Sequence, residues 1–190
     1  MMSERENAKI ARWVEECRQG RTRAQHKLFR HFYAPMFSVC MRYAGSPEEA
    51  EDMLNEGFLK VFSNLDKYED TGSFIAWMRK VVTNAALDYR RKYAMKFETT
   101  ELEQLANTPI AGVEYNQAVA QMSADELVAL IQQLPPMMRT VFNLFIFEGY
   151  SHAEIAAQLD ITESTSAWHL NTARNRLKKE IVKMNGELTK

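Results

Sequence analysis

Three internal Ser-x-x-Glu tetrapeptides, beyond the one at Ser3, constrain this chain more than anything else in it. They are Ser46–Glu49, Ser123–Glu126 and Ser151–Glu154, and each stands just before apolar residues at helical spacing. In such a capping box the serine hydroxyl takes the N3 backbone N–H and the glutamate returns to the serine N–H, fixing where a helix begins. Pro47 at the first helical position reinforces the first of them. The stripes that follow have period 3.6, and no period-2 strand pattern appears in the first half of the chain. Seven glycines and five prolines in 190 residues, with 46% apolar residues, agree with an all-α protein.

The helix signals divide into two groups. In the first, over residues 8–95, a helix from Ala8 to Arg18 ends at Gly20. A long helix from Arg23 to Tyr43 buries Leu28, Phe32, Met36 and Val39, with Pro35 as a kink or a new start. The Ser46 helix runs to Leu65 with Ala50, Leu54, Phe58, Val61 and Phe62 in its stripe, and a polar turn, Lys67 to Ser73, leads to a helix from Phe74 to Lys92. Residues 96–122 change character: between Phe97 and Ala120 stand Glu98, Glu101, Glu103 and Glu114 with no Lys or Arg, the composition of a flexible acidic linker. In the second group, over 123–184, helices run from Ser123 to Gln133 and from Pro135-Pro136 to Gly149. A short helix from His152 to Leu159, the turn Asp160-Ile161-Thr162 and a last helix from Glu163 to Met184 spell a helix-turn-helix. The reading is two small helical domains joined by a linker.

With 24 Lys+Arg against 25 Asp+Glu, a uniformly basic coat is excluded and any nucleic-acid footprint must be local. Cys17 and Cys40 have neither CxxC nor zinc spacing and read as reduced core thiols of a cytoplasmic protein. The N-terminal residues lack the apolar core of a signal peptide, and no stretch approaches the ~18 apolar residues of a membrane span, so no membrane insertion is expected. There is no Walker loop, GxGxxG or HExxH, and no metal cluster among His26, His31, His152 and His169, so neither an enzyme nor a cofactor or metal site is expected.

Three local patterns carry chemistry. In the last helix Leu170, Ala173, Leu177, Ile181 and Met184 form the core stripe, while Trp168 lies about 200° from Leu170 and faces out with Ser164, Asn171, Thr172 and Asn175. An outward Trp among short polar residues suits major-groove contact, where an apolar group meets a thymine methyl; the alternative is that it covers the preceding helix. Arg174, Arg176, Lys178 and Lys179 follow as phosphate contacts or as cations suited to a helix C-terminus. The second pattern is a basic strip, Arg79, Lys80, Arg90, Arg91 and Lys92 against the single acid Asp88. Lys80, Asn84, Leu87 and Arg91 recur on one helix face, and Tyr68 upstream offers a stacking surface for an unstacked base. A solvated basic face with Tyr68 half-buried is the alternative. In the third, the Ser46 helix carries Glu48, Glu49, Glu51, Asp52 and Glu56. Acids suit a helix N-terminus, but the i, i+4 row Glu48, Asp52, Glu56 is self-repelling and calls for a cationic partner.

These residues resemble a known family. Asp52-Met53-Leu54-Asn55-Glu56-Gly57-Phe58-Leu59-Lys60-Val61-Phe62 resembles sigma region 2.2, and Ser73-Phe74-Ile75-Ala76-Trp77-Met78-Arg79-Lys80-Val81-Val82-Thr83-Asn84 through Lys92 resembles regions 2.3 and 2.4. Leu134-Pro135-Pro136, Val141-Phe142 and Gly149-Tyr150-Ser151-His152-Ala153-Glu154-Ile155-Ala156 resemble region 4. The chain thus resembles a sigma-70 family RNA polymerase sigma factor of the extracytoplasmic-function (ECF) type, with regions 2 and 4 only.

The resemblance implies an alternative sigma factor that brings core RNA polymerase to promoters and promotes DNA melting. Glu48, Glu49, Asp52 and Glu56 would dock on the β′ clamp helices. Tyr68 and Asn84 would capture a base flipped from the minus-10 non-template strand, whose phosphates Lys80, Arg90, Arg91 and Lys92 would hold, while Trp77 would pack in the core. The linker would run toward the RNA exit channel, and region 4 would grip the β flap. The last helix would read the minus-35 element through Ser164, Thr165, Trp168, His169, Asn171, Thr172, Arg174 and Arg176. An anti-sigma factor is a partner implied by the resemblance alone. One departure stands out: Ala167 and Thr172 occupy positions usually basic in the family, leaving His169 and then Arg174. Two lost phosphate contacts lower the salt slope by roughly 1.8, so minus-35 binding is expected to be weak and to lean on Trp168 and Asn171. Against this stand a helix-turn-helix regulator that binds DNA alone as a dimer and a helical interaction adaptor. DNA binding that requires core polymerase separates the sigma reading from both.

Overall fold

A computed structural model describes residues 4–69, 73–93 and 122–188. The chain divides into two compact units, Met1–Met95 and Lys96–Lys190, each taken by itself below. Every described secondary-structure element is helical. Of the expected acidic linker over 96–122, all but Met122 lies outside the described residues.

The first unit contains α1 (Glu4–Arg18), α2 (Thr22–Met41), α3 (Pro47–Ser63), a single 3₁₀ turn (Leu65–Lys67) and α4 (Phe74–Tyr93). Gly20 ends α1 in a Schellman motif: it takes φ +75°, its N–H donates to the Cys17 carbonyl at 2.9 Å, and the Arg21 N–H reaches back to Glu16 at 3.1 Å. Pro35 neither starts nor ends a helix, and α2 continues through it. Leu28, Phe32, Met36, Val39 and Cys40 of α2 are buried against Ala50, Met53, Leu54, Phe58 and Val61 of α3 and Met78, Val82, Ala85 and Ala86 of α4. Each large side chain so buried contributes about 1.5–3 kcal/mol. Packing is close where α3 meets α4 at Gly57, where a Cβ would lie 3.2 Å from Val82 Cγ2 and 3.4 Å from its Cα. Burial pushes the Cys17 thiol up to about 11 and the Cys40 thiol up to about 12, which makes both unreactive core groups.

The second unit contains α5 (Ala124–Gln132), α6 (Pro136–Ile146), α7 (His152–Leu159) and α8 (Glu163–Leu188). The boxes at Ser123 and Ser151 are complete: each serine accepts from the N3 backbone N–H and each glutamate accepts from the serine N–H at 2.8 Å. The box at Ser46 is only half made. Its hydroxyl accepts the Glu49 N–H at 3.2 Å, but the Glu49 carboxylate takes the Gly45 N–H instead. Asp160 closes α7 in the left-handed conformation (φ 55°), and Thr162 caps α8 by accepting the Thr165 N–H at 3.1 Å. Leu170, Ala173, Leu177 and Ile181 of α8 are buried as expected, whereas Met184 is exposed because the helix outruns the α6 and α7 surfaces.

Candidate functional site

On α3 the spacing Glu48, Asp52, Glu56, Leu59 sets one row along the helix. Glu48 and Asp52 are exposed, Glu56 is half-buried, and Leu59, an apolar residue at 67% exposure, extends the row. The Ser46 hydroxyl and a backbone N–H hold the Glu48 carboxyl below its ordinary value. Glu49 does not belong to it. Its carboxylate faces Arg90 of α4 at 3.4 Å, with the two side chains 25% and 10% exposed.

The same pair corrects the basic strip. Arg90 is turned inward with Glu49, and Leu87 sits in the core, so neither belongs to the outer face of α4. Lys80, Arg91 and Lys92 are exposed and Asn84 is half-buried. Asp88 draws in Arg91 at 3.2 Å and Lys60 of α3 at 2.6 Å, and the Tyr89 hydroxyl donates to Asp52 at 3.2 Å. Three successive α4 residues, Asp88, Tyr89 and Arg90, thus bond to α3 and fix the angle between its acidic row and the basic face.

Tyr68 is not the open platform the sequence suggested. It is 8% exposed, its ring meeting Phe74 at 5.2 Å and Trp77 at 5.3 Å. Trp77 is half-buried, with one side on this cluster. Arg18, missed by the sequence reading, donates to the Tyr68 carbonyl at 2.6 Å and to the Leu65 carbonyl at 3.1 Å. No local signal could reveal it, because the partners lie 47 and 50 residues away.

In α8 three parallel rows emerge. Ser166, Leu170, Ala173 and Leu177 face the core; Thr165, His169, Thr172 and Arg176 form a half-buried flank; Ser164, Trp168, Asn171 and Asn175 are exposed. Trp168 points outward at 39% exposure, its ring meeting His169 edge-on at 5.0 Å. The Thr165 hydroxyl is engaged with Thr162 at 2.8 Å. Burial lowers the His169 pKa below the ordinary histidine value, so the ring is neutral near pH 7 and the first two turns of α8 carry no cation. Arg174 is exposed and lies 5.7 Å over the Phe145 ring of α6; that ring stacks on His152 at 4.7 Å, and His152 Nδ1 meets the Ser166 hydroxyl at 2.9 Å. These contacts hold α8 to the helices beneath it. Exposed Ile146 and Phe147 at the end of α6 make an apolar patch that the sequence reading had not singled out.

Among the described residues no three His, Cys, Asp or Glu side chains gather as a metal site, and no helix is long and apolar enough to cross a membrane.

Comparison with known proteins agrees with this arrangement. The family model "Sigma-70 region 2" matches residues 28–95 and "Sigma-70, region 4" matches 124–177. The chain is 28% identical over 164 residues to the ECF RNA polymerase sigma factor SigE of Mycolicibacterium smegmatis, covering 85% of this chain and 63% of that protein. It is 29% identical over 161 residues to the ECF factor SigW of Bacillus subtilis, covering 77% of this chain and 82% of that one. The ECF sigma-E factor of Escherichia coli is 25% identical over 177 residues, covering 88% and 92%. In fold it resembles the sigma factor RpoE from Bartonella quintana, solved with the anti-sigma factor NepR, at a TM-score of 0.50 and 18% identity over 83% of this chain and 96% of that one. The chain belongs to the sigma-70 family of RNA polymerase sigma factors, in its ECF branch.

Proposed function

We propose that this chain is an alternative sigma factor, an initiation factor rather than an enzyme, that binds core RNA polymerase, directs it to specific promoters and promotes their melting. The observation that carries the reading is the pairing of a region 2 unit and a region 4 unit in one chain, each with a surface of matching chemistry. Residues 8–95 dock on core polymerase through Glu48, Asp52 and Glu56, with Leu59 adding apolar contact, on the cationic β′ clamp helices. Lys80, Asn84, Arg91 and Lys92 take the minus-10 non-template strand, and Tyr68 with Trp77 walls one end of that face. Residues 96–122 serve as the linker. Residues 123–184 read the minus-35 element through Ser164, Trp168 and Asn171, backed by Thr172, Arg174 and Arg176, and engage the β flap. Glu49 and Arg90 act within the region 2 unit, holding α3 to α4. The protein works in the cytoplasm, where polymerase is, and an anti-sigma factor is its expected regulator.

Run-off transcription with purified core polymerase on genomic promoter fragments tests the reading. Discrete transcripts that need both components are expected; duplex binding by the chain alone, with no transcript from the mixture, would replace it with a stand-alone regulator.

A further inference from the structure

Arg18 is the last residue of α1, a helix that lies wholly outside the region 2 match at 28–95. Its Nε and Nη2 donate to the Leu65 carbonyl at 3.2 and 3.1 Å, and Nη2 also donates to the Tyr68 carbonyl at 2.6 Å. Glu15, one turn back, steadies the guanidinium at 3.6 Å. Leu65 opens the 3₁₀ turn Leu65–Lys67 and Tyr68 follows it, so one planar, fork-shaped cation spans the turn from its first carbonyl to the carbonyl just past its end. The side chain that follows this turn is Tyr68, whose ring lies 5.3 Å from Trp77. Trp77 stands three residues before Lys80 and seven before Asn84, and so shares their face of α4.

We propose that Arg18 is a positioning residue for promoter melting: its guanidinium locks the turn that seats Tyr68 against Trp77, preforming the wall at the head of the strand-binding face of α4. This rests on the sigma reading of that face. Without the lock the turn must be ordered as the strand binds, and the cost falls on open-complex formation. Core docking uses the α3 row and is spared. Lysine retains the charge but not the fork, so it restores part of the function.

The test uses holoenzyme assembled from core polymerase and full-length chain, as wild type, Arg18→Ala, Arg18→Lys and Arg12→Ala. Arg12 is a control cation on the same helix, 79% exposed and paired only locally with Glu16. Promoter DNA is selected by the wild-type holoenzyme from a randomised pool, melting is read by permanganate reactivity of unpaired thymines, and core affinity by fluorescence anisotropy. Arg18→Ala is expected to lose about tenfold in open-complex formation, the worth of one charged hydrogen bond. Its core affinity stays within about twofold, Arg18→Lys recovers part of the loss, and Arg12→Ala matches wild type. Normal melting by Arg18→Ala would overturn the proposal and leave the sigma reading intact. A parallel fall in core affinity, melting temperature and opening would make Arg18 a general brace and overturn it as well. A wild type that neither binds core nor opens any selected DNA would remove the sigma reading itself, and the proposal with it.

Discussion

Alanine at Glu49 should unfold more than it undocks. Glu49 stands in the same acid-rich helix as Glu48, Asp52 and Glu56, yet its carboxylate meets a guanidinium only 10% exposed. Removing one member of a fully buried ion pair costs about 3–5 kcal/mol, because the other charge is left desolvated. Here the separation is 3.4 Å, the carboxylate is 25% exposed and Arg90 keeps further partners, which brings the cost to about 1.5–2 kcal/mol. Loss of the acceptor for the Gly45 N–H adds about 0.5–1 kcal/mol. The total is about 2–3 kcal/mol. For a unit the size of Met1–Met95, each kcal/mol lowers the melting temperature by about 5 °C, so a fall of about 10–15 °C is expected. Circular dichroism melts of Glu49→Ala, Arg90→Met and the double variant measure it. The double variant should recover about 1 kcal/mol relative to the sum of the singles, because it leaves no orphaned charge. Additive single losses, or a Glu49→Ala melt within about 2 °C of wild type, would refute the reasoning.

Three further outcomes follow from the same geometry. Gly57→Ala should cost about 1 kcal/mol in urea unfolding, since overpacking against Val82 outweighs the helix-propensity gain, and a Val82→Ala background should erase the cost. Because burial depresses the folded pKa of His169, the unfolded chain binds the extra proton; its contribution to stability is complete above about pH 6.5 and is lost as pH falls below that value. His169→Gln should therefore flatten the stability profile between about pH 7 and 5.5, and an unchanged profile would contradict the burial argument. With the first two turns of α8 lacking a cation, the chain's binding to minus-35 duplex should show a salt slope shallower by roughly 1.8 than that of a relative with two basic residues there; equal slopes would reject the account.

The legible parts of this protein were those set by near neighbours in the chain. Ser123, Ser151 and Gly20 announced helix ends because cap and partner lie within five residues, and 3.6-residue periodicity alone gave the buried Leu170, Ala173, Leu177 and Ile181 of α8, though it put half-buried Thr172 on the outward face. Trp168 was placed outward on the same ground. Choices of distant partner were not legible. Glu49 had two acceptable fates, the Ser46 N–H or a cation 41 residues away, and tertiary packing decided between them. Tyr68 read as a stacking platform, with a half-buried position as the alternative, and the contacts with Phe74 and Trp77 that bury it lie beyond what spacing shows. Arg18 looked like an ordinary cation at a helix end, because its carbonyl acceptors carry no side-chain signature. Leu87 and Met184 misled for a related reason: a helical stripe gives direction around the axis but not how far along it a neighbour extends.

The central claim is that the acidic row of α3 joins this chain to RNA polymerase. Its most direct test is size-exclusion chromatography with purified core enzyme, comparing wild type with a Glu48/Asp52/Glu56→Ala variant that leaves Glu49 in place. The account predicts that wild type co-elutes with core and that the variant, still folded though without the exposed Tyr89–Asp52 hydrogen bond, worth about 1 kcal/mol, elutes free. A folded variant that still co-elutes, or a wild type that never does, would contradict it.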